Sequence, residues 1–422
     1  MTSTDKNLLA SVSSKFTEET LRSVLVRLTG DLGAVVSAWN VEPAAGKGDN
    51  YLSVVSRVTI GGKVHGKPVQ STVIVKAIPT NKTRNLIFRS KDYFKNETAF
   101  YTKVIALFEE FLTKKGKLEL LNVPRCLGYF EDGENDFIVL EDAKAKGFAG
   151  IDRLKAWKYE DCKVIFKALA QYHGISLAIL QQHPQELLNA TKDLSEPLFS
   201  DKYWDWYGRY YTLSINAAQD AMAKEYPGTP QEEKFRTMTS RKLFTKCVEL
   251  LEHKNKSVFV VNHGDSWATN FMTRTLPNGE QDAIIFDFQL ARCASPVHDL
   301  AYFVYTVTDK DTRDQYFQSL LKYYHDEMGQ TMAQLGANID GIFPFDVFMK
   351  EVKEQFVFGF AFGLETLPMS MLSAEESFDL DEAKEGETLN IADVWALKPT
   401  ENKVNRRRLA DVVKHGIDQG FL

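Results

Sequence analysis

Residues 258–272 read VFVVNHGDSWATNFM, and residues 283–289 read AIIFDFQ. In each, a run of β-branched, aromatic and other apolar residues, the pattern of a buried strand, delivers the chain towards an acidic residue. The first run opens into the polar loop His263-Gly264-Asp265, with Asn270 five residues beyond that Asp. The second ends in Asp287-Phe288-Gln289. An Asp, an Asn shortly after it, and an Asp at a later strand end suit phosphoryl transfer. Asp265 would accept or orient the proton of an attacking hydroxyl, while Asn270 and Asp287 supply oxygen ligands to magnesium on nucleotide phosphates. Such catalysis is mostly positioning and charge neutralisation, so a few oxygens on rigid strand ends are enough. Asp265 or Asn270 alone reads better as a turn cap. The ordered set of three points to chemistry.

The N-terminal part contains what that set requires. Lys76 lies in the β run Val69–Ile78, with Ile74 and Ile78 on its own face. A lysine on an apolar face needs an anionic partner, because a buried unpaired charge is costly. Glu97 has the matching oddity, on the helical stripe Phe94–Glu97–Tyr101–Val104–Phe108 where an apolar residue is expected. A strand lysine and a carboxylate on the next helix form the pair by which kinases hold nucleotide phosphates. Ahead of them, Gly46-Lys47-Gly48-Asp49-Asn50 is a flexible loop that can lay backbone N–H groups over phosphates. Gly46, Gly48 and Asn50 are therefore candidate nucleotide-binding residues, although a plain hairpin loop explains them equally well. Leu140, Glu141 and Asp142 fall at the junction of the two halves, where their backbone groups could read an adenine edge or their side chains could simply be solvated.

Outward from these motifs, the periodicity predicts a helix over 16–29 with Thr17 as N-cap and Gly30 beyond its end. It predicts strands over 51–60, closed by a Gly61-Gly62 turn, over 69–78 and over 137–140. A long helix is expected from Ser90 to Leu112. After Glu141 the pattern becomes mostly helical, notably over 163–180, 232–251, 302–324 and 345–362. A β interlude at 258–261 and 283–288 carries the turn Pro277-Asn278-Gly279. Residues 374–387 are strongly acidic and read as a solvated loop or lid. The plan is α+β in two lobes: residues 1–145 form an N-lobe with an antiparallel sheet and the phosphate anchor, and residues 146–422 a mainly helical C-lobe with the catalytic and metal loops. His173 reads as a hydrogen-bonded helix histidine and Asp299 as a helix cap or a brace for the catalytic loop. The aromatic stretch 203–211 and the segment 356–371 read as core, while remaining the large apolar candidates for acceptor contacts. Arg406–Arg408 read as a solvated helix face.

Composition limits the alternatives. The 422 residues are 44% apolar and 26% charged, ordinary for a globular chain of more than one unit. With 51 basic and 57 acidic residues the net charge is −6, a poor basis for neutralising nucleic-acid phosphates. No segment has the length and apolarity of a bilayer span, and none reads as a signal peptide. Cys126, Cys162, Cys247 and Cys293 show no C-x-x-C pairing and read as reduced core thiols, so a cytoplasmic location is expected.

Taken together, Gly48-Asp49-Asn50-Tyr51, Lys76, Glu97, Val139-Leu140-Glu141-Asp142, His263-Gly264-Asp265-Ser266-Trp267 with Asn270, and Asp287-Phe288-Gln289 resemble the ecdysteroid kinase-like family. That family has the protein-kinase-like fold and is related to choline kinases and aminoglycoside phosphotransferases. The resemblance covers about residues 40–365, and the loop carries Asp49 where the family commonly has Glu. It implies a bilobal protein-kinase-like fold and ATP-dependent phosphorylation of a small-molecule hydroxyl on an ecdysteroid, another steroid or a xenobiotic. Asp265 would be the base, Asn270 and Asp287 the magnesium ligands, and Lys76 with Glu97 the phosphate anchor. Gln289 replaces the Gly of D-F-G and no A-P-E segment follows, unlike a protein kinase. The alternatives are a choline or amino-alcohol kinase, whose acceptor would want carboxylates and aromatic faces, and an idle ligand-binding pseudokinase. The acceptor, the hydroxyl modified and the oligomeric state stay open.

Overall fold

The computed structural model describes residues 4–44, 52–152, 157–252, 258–370, 390–395 and 397–422. Gly46, Gly48, Asn50 and the acidic stretch 374–387 lie outside them. The N-terminal lobe is a five-stranded antiparallel sheet made of β1 (Val35–Pro43), β2 (Val54–Val64), β3 (Lys67–Ala77), β4 (Cys126–Phe130) and β5 (Phe137–Glu141), in the order β1-β2-β3-β5-β4. Alternation sorts its two faces. Val58, Ile60, Val73, Val75 and Val139 pack with Leu21, Val24 and Leu25 of the helix Glu18–Thr29 in one small core. Thr17 caps that helix and Gly30 ends it in the left-handed conformation, φ 74°. Ile74, Lys76, Ile138 and Leu140 take the opposite face, towards the rest of the molecule.

The predicted Gly61-Gly62 turn is not there. β2 runs through both glycines, and the chain reverses at His65-Gly66, where φ is 47° and 73°, as a two-residue hairpin turn requires. Gly62 serves close packing instead, since a Cβ there would come within 2.2 Å of the Val35 carbonyl oxygen on β1.

The helical segment from Ser90 to Lys115 is continuous in space but carries a π-helical turn at Phe100–Val104. Below the sheet, the long helices Tyr159–Gln182, Trp204–Glu225, Lys310–Gln334 and Phe345–Ser370 bury one large apolar core. Two predicted helices are each split by caps. Thr237–Thr239 separates Pro230–Arg236 from Ser240–Glu252, and Asp309 starts Lys310–Gln334 by accepting from Thr312 N, which ends Val297–Val307 before it.

The β interlude pairs differently from the sequence expectation. β6 (Ala149–Gly150), β8 (Phe271–Thr275) and β9 (Gln281–Ile285) form one small sheet, with the Pro277-Asn278-Gly279 turn joining β8 to β9. β7 (Val260–Asn262) instead pairs with β10 (Arg292–Ala294). The Asp265 loop runs from β7 to β8 and the Asp287 loop from β9 to β10, so the two strand pairs together hold both acidic loops. Arg406–Arg408 is not a solvated face either. Arg406 pairs with Glu225 at 2.8 Å, and Arg408 donates to the Thr306 carbonyl that ends Val297–Val307. Cys162 and Cys247 are buried thiols, but Cys293 is exposed. Among the described residues no helix is long and apolar enough to cross a membrane.

Candidate active site

β3 puts Lys76 on the cleft face, where the helix Ser90–Ala99 presents Glu97 to it. Lys76 Nζ donates to Glu97 Oε2 at 2.6 Å and to Asp287 Oδ1 at 2.8 Å. Lys76 and Glu97 are both buried, so each explains why the other is tolerated on an apolar face. Burial pulls the Lys76 ammonium down, but Asp287 and Glu97 outweigh it and hold the lysine charged. Burial also pushes the Glu97 carboxyl up to about 7, against the pull of Lys76. Asp287 itself has φ 69°, unusual for a non-glycine residue and of the kind that collects at functional sites.

The loop after β7 is fixed from below. Asp299, in the first turn of Val297–Val307, accepts from His263 N at 2.7 Å, Gly264 N at 2.9 Å and His173 Nε2 at 3.0 Å. Burial alone would raise the Asp299 carboxyl, but these donors pull it down to about 2. It is a brace, as one of the two sequence readings has it, and His173 is held between it and the Tyr324 hydroxyl. Gly264 has φ 84°, and a Cβ there would sit 2.0 Å from the Leu290 carbonyl oxygen, so only glycine fits. His263 Nδ1 accepts from Asp265 N and Nε2 donates to the Phe286 carbonyl, which ties the Asp265 loop to the strand end carrying Asp287.

Asp265 stands half-buried above this brace. Its Oδ2 accepts from Asn270 Nδ2 at 3.1 Å and its Oδ1 from the Tyr302 hydroxyl at 3.3 Å. Burial and the Asp287 carboxylate push its pKa up to about 7, while Asn270, Tyr302 and Gln289 restrain it. Asn270 Nδ2 also donates to the Asp265 carbonyl at 2.9 Å, which turns its Oδ1 away from Asp265. That oxygen and the Asp287 carboxylate fit magnesium. The ion ordinarily takes one or two protein oxygens and completes its shell with phosphates and water. No cluster of three or more His, Cys, Asp or Glu able to hold a metal occurs among the described residues.

Two cavities meet at these residues. The larger, about 430 Å³, lies under the sheet with Val55, Ile74, Leu140, Met272 and Phe286 in its walls and Lys76 at one end. Its volume is in the range of small-molecule sites. Glu141 and Asp142 line it too, but their side chains are engaged locally, with Lys146 at 2.7 Å and Arg57 at 2.8 Å. The Glu141 N–H is likewise taken by the Arg125 carbonyl at 3.0 Å, so it is not available to an adenine edge. The smaller cavity, about 150 Å³, is walled by aromatic residues including Tyr93, Trp206, Tyr207, Tyr210 and Phe362, and holds Asp265. Asn270 and Asp287 border both cavities. Residues from 203–211 and 356–371, read as core from sequence, are thus both buried and cavity-lining. One lining residue went unread: Glu365, the single charge in QFVFGFAFGLETLPMS, residues 355–370. Its signal is the one that singled out Lys76 and Glu97, a charge where the helix calls for an apolar side chain.

The model of the ecdysteroid kinase-like family matches residues 47–337. A comparison with curated proteins finds no match. Among solved structures, an ethanolamine kinase from Plasmodium vivax is 15% identical, with 80% of this chain and 78% of that chain covered and a TM-score of 0.38. A GDP complex of aminoglycoside 2'-phosphotransferase-IIIa is 14% identical, with 92% and 99% covered and a TM-score of 0.37. A putative fructosamine-3-kinase from Haemophilus somnus is 15% identical, with 85% and 99% covered and a TM-score of 0.34.

Proposed function

Since the chain belongs to the ecdysteroid kinase-like family, we propose that it is an ATP-dependent kinase acting on a hydroxyl of an ecdysteroid, another steroid or a xenobiotic. The observation that carries this is the meeting of the two cavities at Asn270 and Asp287, with Lys76 bordering the larger and Asp265 the smaller. A nucleotide in the larger cavity directs its terminal phosphate to that junction, and an acceptor in the smaller one lays its hydroxyl on Asp265. The acceptor oxygen forms a bond to the γ-phosphorus as the β–γ bridging P–O bond breaks. ADP departs, and the hydroxyl proton passes to Asp265.

The chain's own residues position and neutralise. Lys76, steadied by Glu97, holds phosphate oxygens. Asn270 Oδ1 and Asp287 would hold magnesium, which would supply charge neutralisation for the nucleotide phosphates. Leu140, Glu141 and Asp142 wall the nucleotide base. The smaller cavity holds about one ring, so a steroid inserts only its hydroxyl-bearing end. A second reading, an amino-alcohol acceptor, is favoured by one feature, the buried Glu365 carboxyl among aromatic faces.

The test incubates the protein with magnesium and ATP against pooled ecdysteroids, other steroids, plant phenolic glycosides and amino alcohols. Mass spectrometry then reads products carrying one added phosphoryl group. A product absent with Asp265→Asn supports the kinase and names the acceptor class. Magnesium-dependent ATP binding without any product favours an idle binder.

A further inference from the structure

Among the described residues, Glu365 is a buried acid with no cation in ion-pair reach. It is 5% exposed, and its Oε2 has no hydrogen-bond partner among the described residues. Elsewhere, Glu97 has Lys76 at Oε2, although its Oε1 is also without a hydrogen-bond partner among the described residues, Asp299 has His173 and two backbone N–H groups, and the half-buried Glu196 has Arg292 at 2.5 Å. Burial pushes the Glu365 carboxyl well up, with no cation among the described residues to offset it.

A buried polar group without a partner costs stability, and native interiors keep few of them. The position of this one gives it a use. Glu365 borders the cavity that holds Asp265, and Thr366 beside it is bonded to the Tyr302 hydroxyl at 2.7 Å, which in turn reaches Asp265. The Tyr207 hydroxyl, on the wall of the same cavity, is also buried without a partner among the described residues. The cavity thus presents aromatic faces, one base, and polar groups still waiting for their hydrogen bonds.

We propose that Glu365 selects the acceptor by binding a second hydrogen-bond donor on it, a hydroxyl or an ammonium, distinct from the hydroxyl that meets Asp265. The inference rests on the smaller cavity being the acceptor site. An acceptor with a single donor leaves the carboxyl unsatisfied and is discriminated against, as sites built around a hydrogen bond reject analogues that lack it.

The experiment compares wild type, Glu365→Leu and Glu365→Gln with an ecdysteroid bearing several hydroxyls and with ethanolamine, alongside magnesium-ATP binding and thermal melts. Glu365→Leu should cut kcat/KM for whichever probe is accepted about 10- to 100-fold, mainly through KM. It should also raise Tm by about 2 °C, because it removes an unpaired buried carboxyl. Glu365→Gln separates the two sources. The amide retains turnover of a hydroxyl donor within about threefold but loses that of an ammonium. Unchanged kcat/KM in Glu365→Leu, or a Tm below wild type, overturns the proposal. If wild type binds magnesium-ATP yet phosphorylates neither probe, the kinase reading has failed on this panel, and Glu365 is judged by melts alone. A ligand-induced Tm rise in wild type that Glu365→Leu lacks supports it. No rise with either probe overturns it.

Discussion

Asp299 and Glu365 are both carboxyls sealed into the helical lobe, one beneath the Asp265 loop and one in the wall facing it. Asp299 receives donors from His173, His263 and Gly264, and its pKa falls to about 2. Glu365 receives none from the described residues at Oε2, and its pKa rises well above the usual value. Burial acts on both in the same direction. The difference is whether the fold meets the hydrogen-bonding demand of the group. Where it does, the acid stiffens a loop; where no described residue does, as at Glu365 Oε2, the acid is the group we propose meets a donor on the acceptor.

Four measurements break or sharpen that contrast. The largest effect is expected at Asp265, which stands between the two. Asp265→Asn should lower phosphoryl transfer about a thousandfold while leaving magnesium-ATP affinity within about threefold, read by product formation and by calorimetry. A variant with near-full turnover would remove Asp265 from the chemistry and with it the reason to place an acceptor beside Glu365.

Next is the brace. Asp299→Ala leaves the His263 and Gly264 N–H groups buried without their acceptor, and should cost about 3 kcal/mol in urea unfolding. A loss below about 1 kcal/mol would mean that the partnered acid matters no more to the fold than the unpartnered one. Lys76→Met should follow, with kcat/KM for ATP down about 10- to 100-fold, or roughly 1.4–2.8 kcal/mol.

The smallest effect is the dependence of stability on pH, and its sign differs between the two acids. The folded pKa of Asp299 lies below its ordinary 3.8, so its contribution is complete above that value and drains away as pH falls towards about 2. The folded pKa of Glu365 lies above its ordinary 4.5, so the unfolded chain loses that proton first and stability declines as pH rises past 4.5. The advantage of Glu365→Gln over wild type should therefore widen above pH 4.5, by at most about 1.4 kcal/mol per pH unit. Urea melts at several pH values check it. A constant difference would mean that Glu365 ionises in the fold as it does in solution.

Much of the site could be read because charge stands out against an apolar period. Lys76 in a strand and Glu97 on a helical stripe each break the pattern, and the structure brings them to 2.6 Å. The Asp265 and Asp287 loops follow short apolar runs that end in acids, another local signal. Glu365 carried the same signal and was absorbed into core, because twelve of the sixteen residues around it are apolar or glycine and a helix of that kind is normally buried whole. β1 and β4 also went unread. β1 contains Ser37, Asn40 and Glu42 and pairs along one edge of the sheet only, and β4 is five residues with Gly128 at its centre. Neither gives a strong period of two. The Gly61-Gly62 turn failed because a glycine pair signals either a turn or a close approach, and the Val35 carbonyl that decides between them lies on a strand 27 residues before Gly62.

The sequence alone determined the two-lobe plan, the helix caps at Thr17 and Gly30, and the residue types of the acidic loops. These follow from short-range rules: periodicity, cap chemistry and the cost of a misplaced charge. Tertiary structure alone decided that β7 pairs with β10, that Asp299 braces rather than caps, that Asn270 and Asp287 stand where two cavities join, and that Glu365 Oε2 has no partner among the described residues. Those facts depend on which side chains meet across tens to hundreds of residues. A hydrogen bond, made or missing, is set by distances of tenths of an ångström that no local pattern encodes.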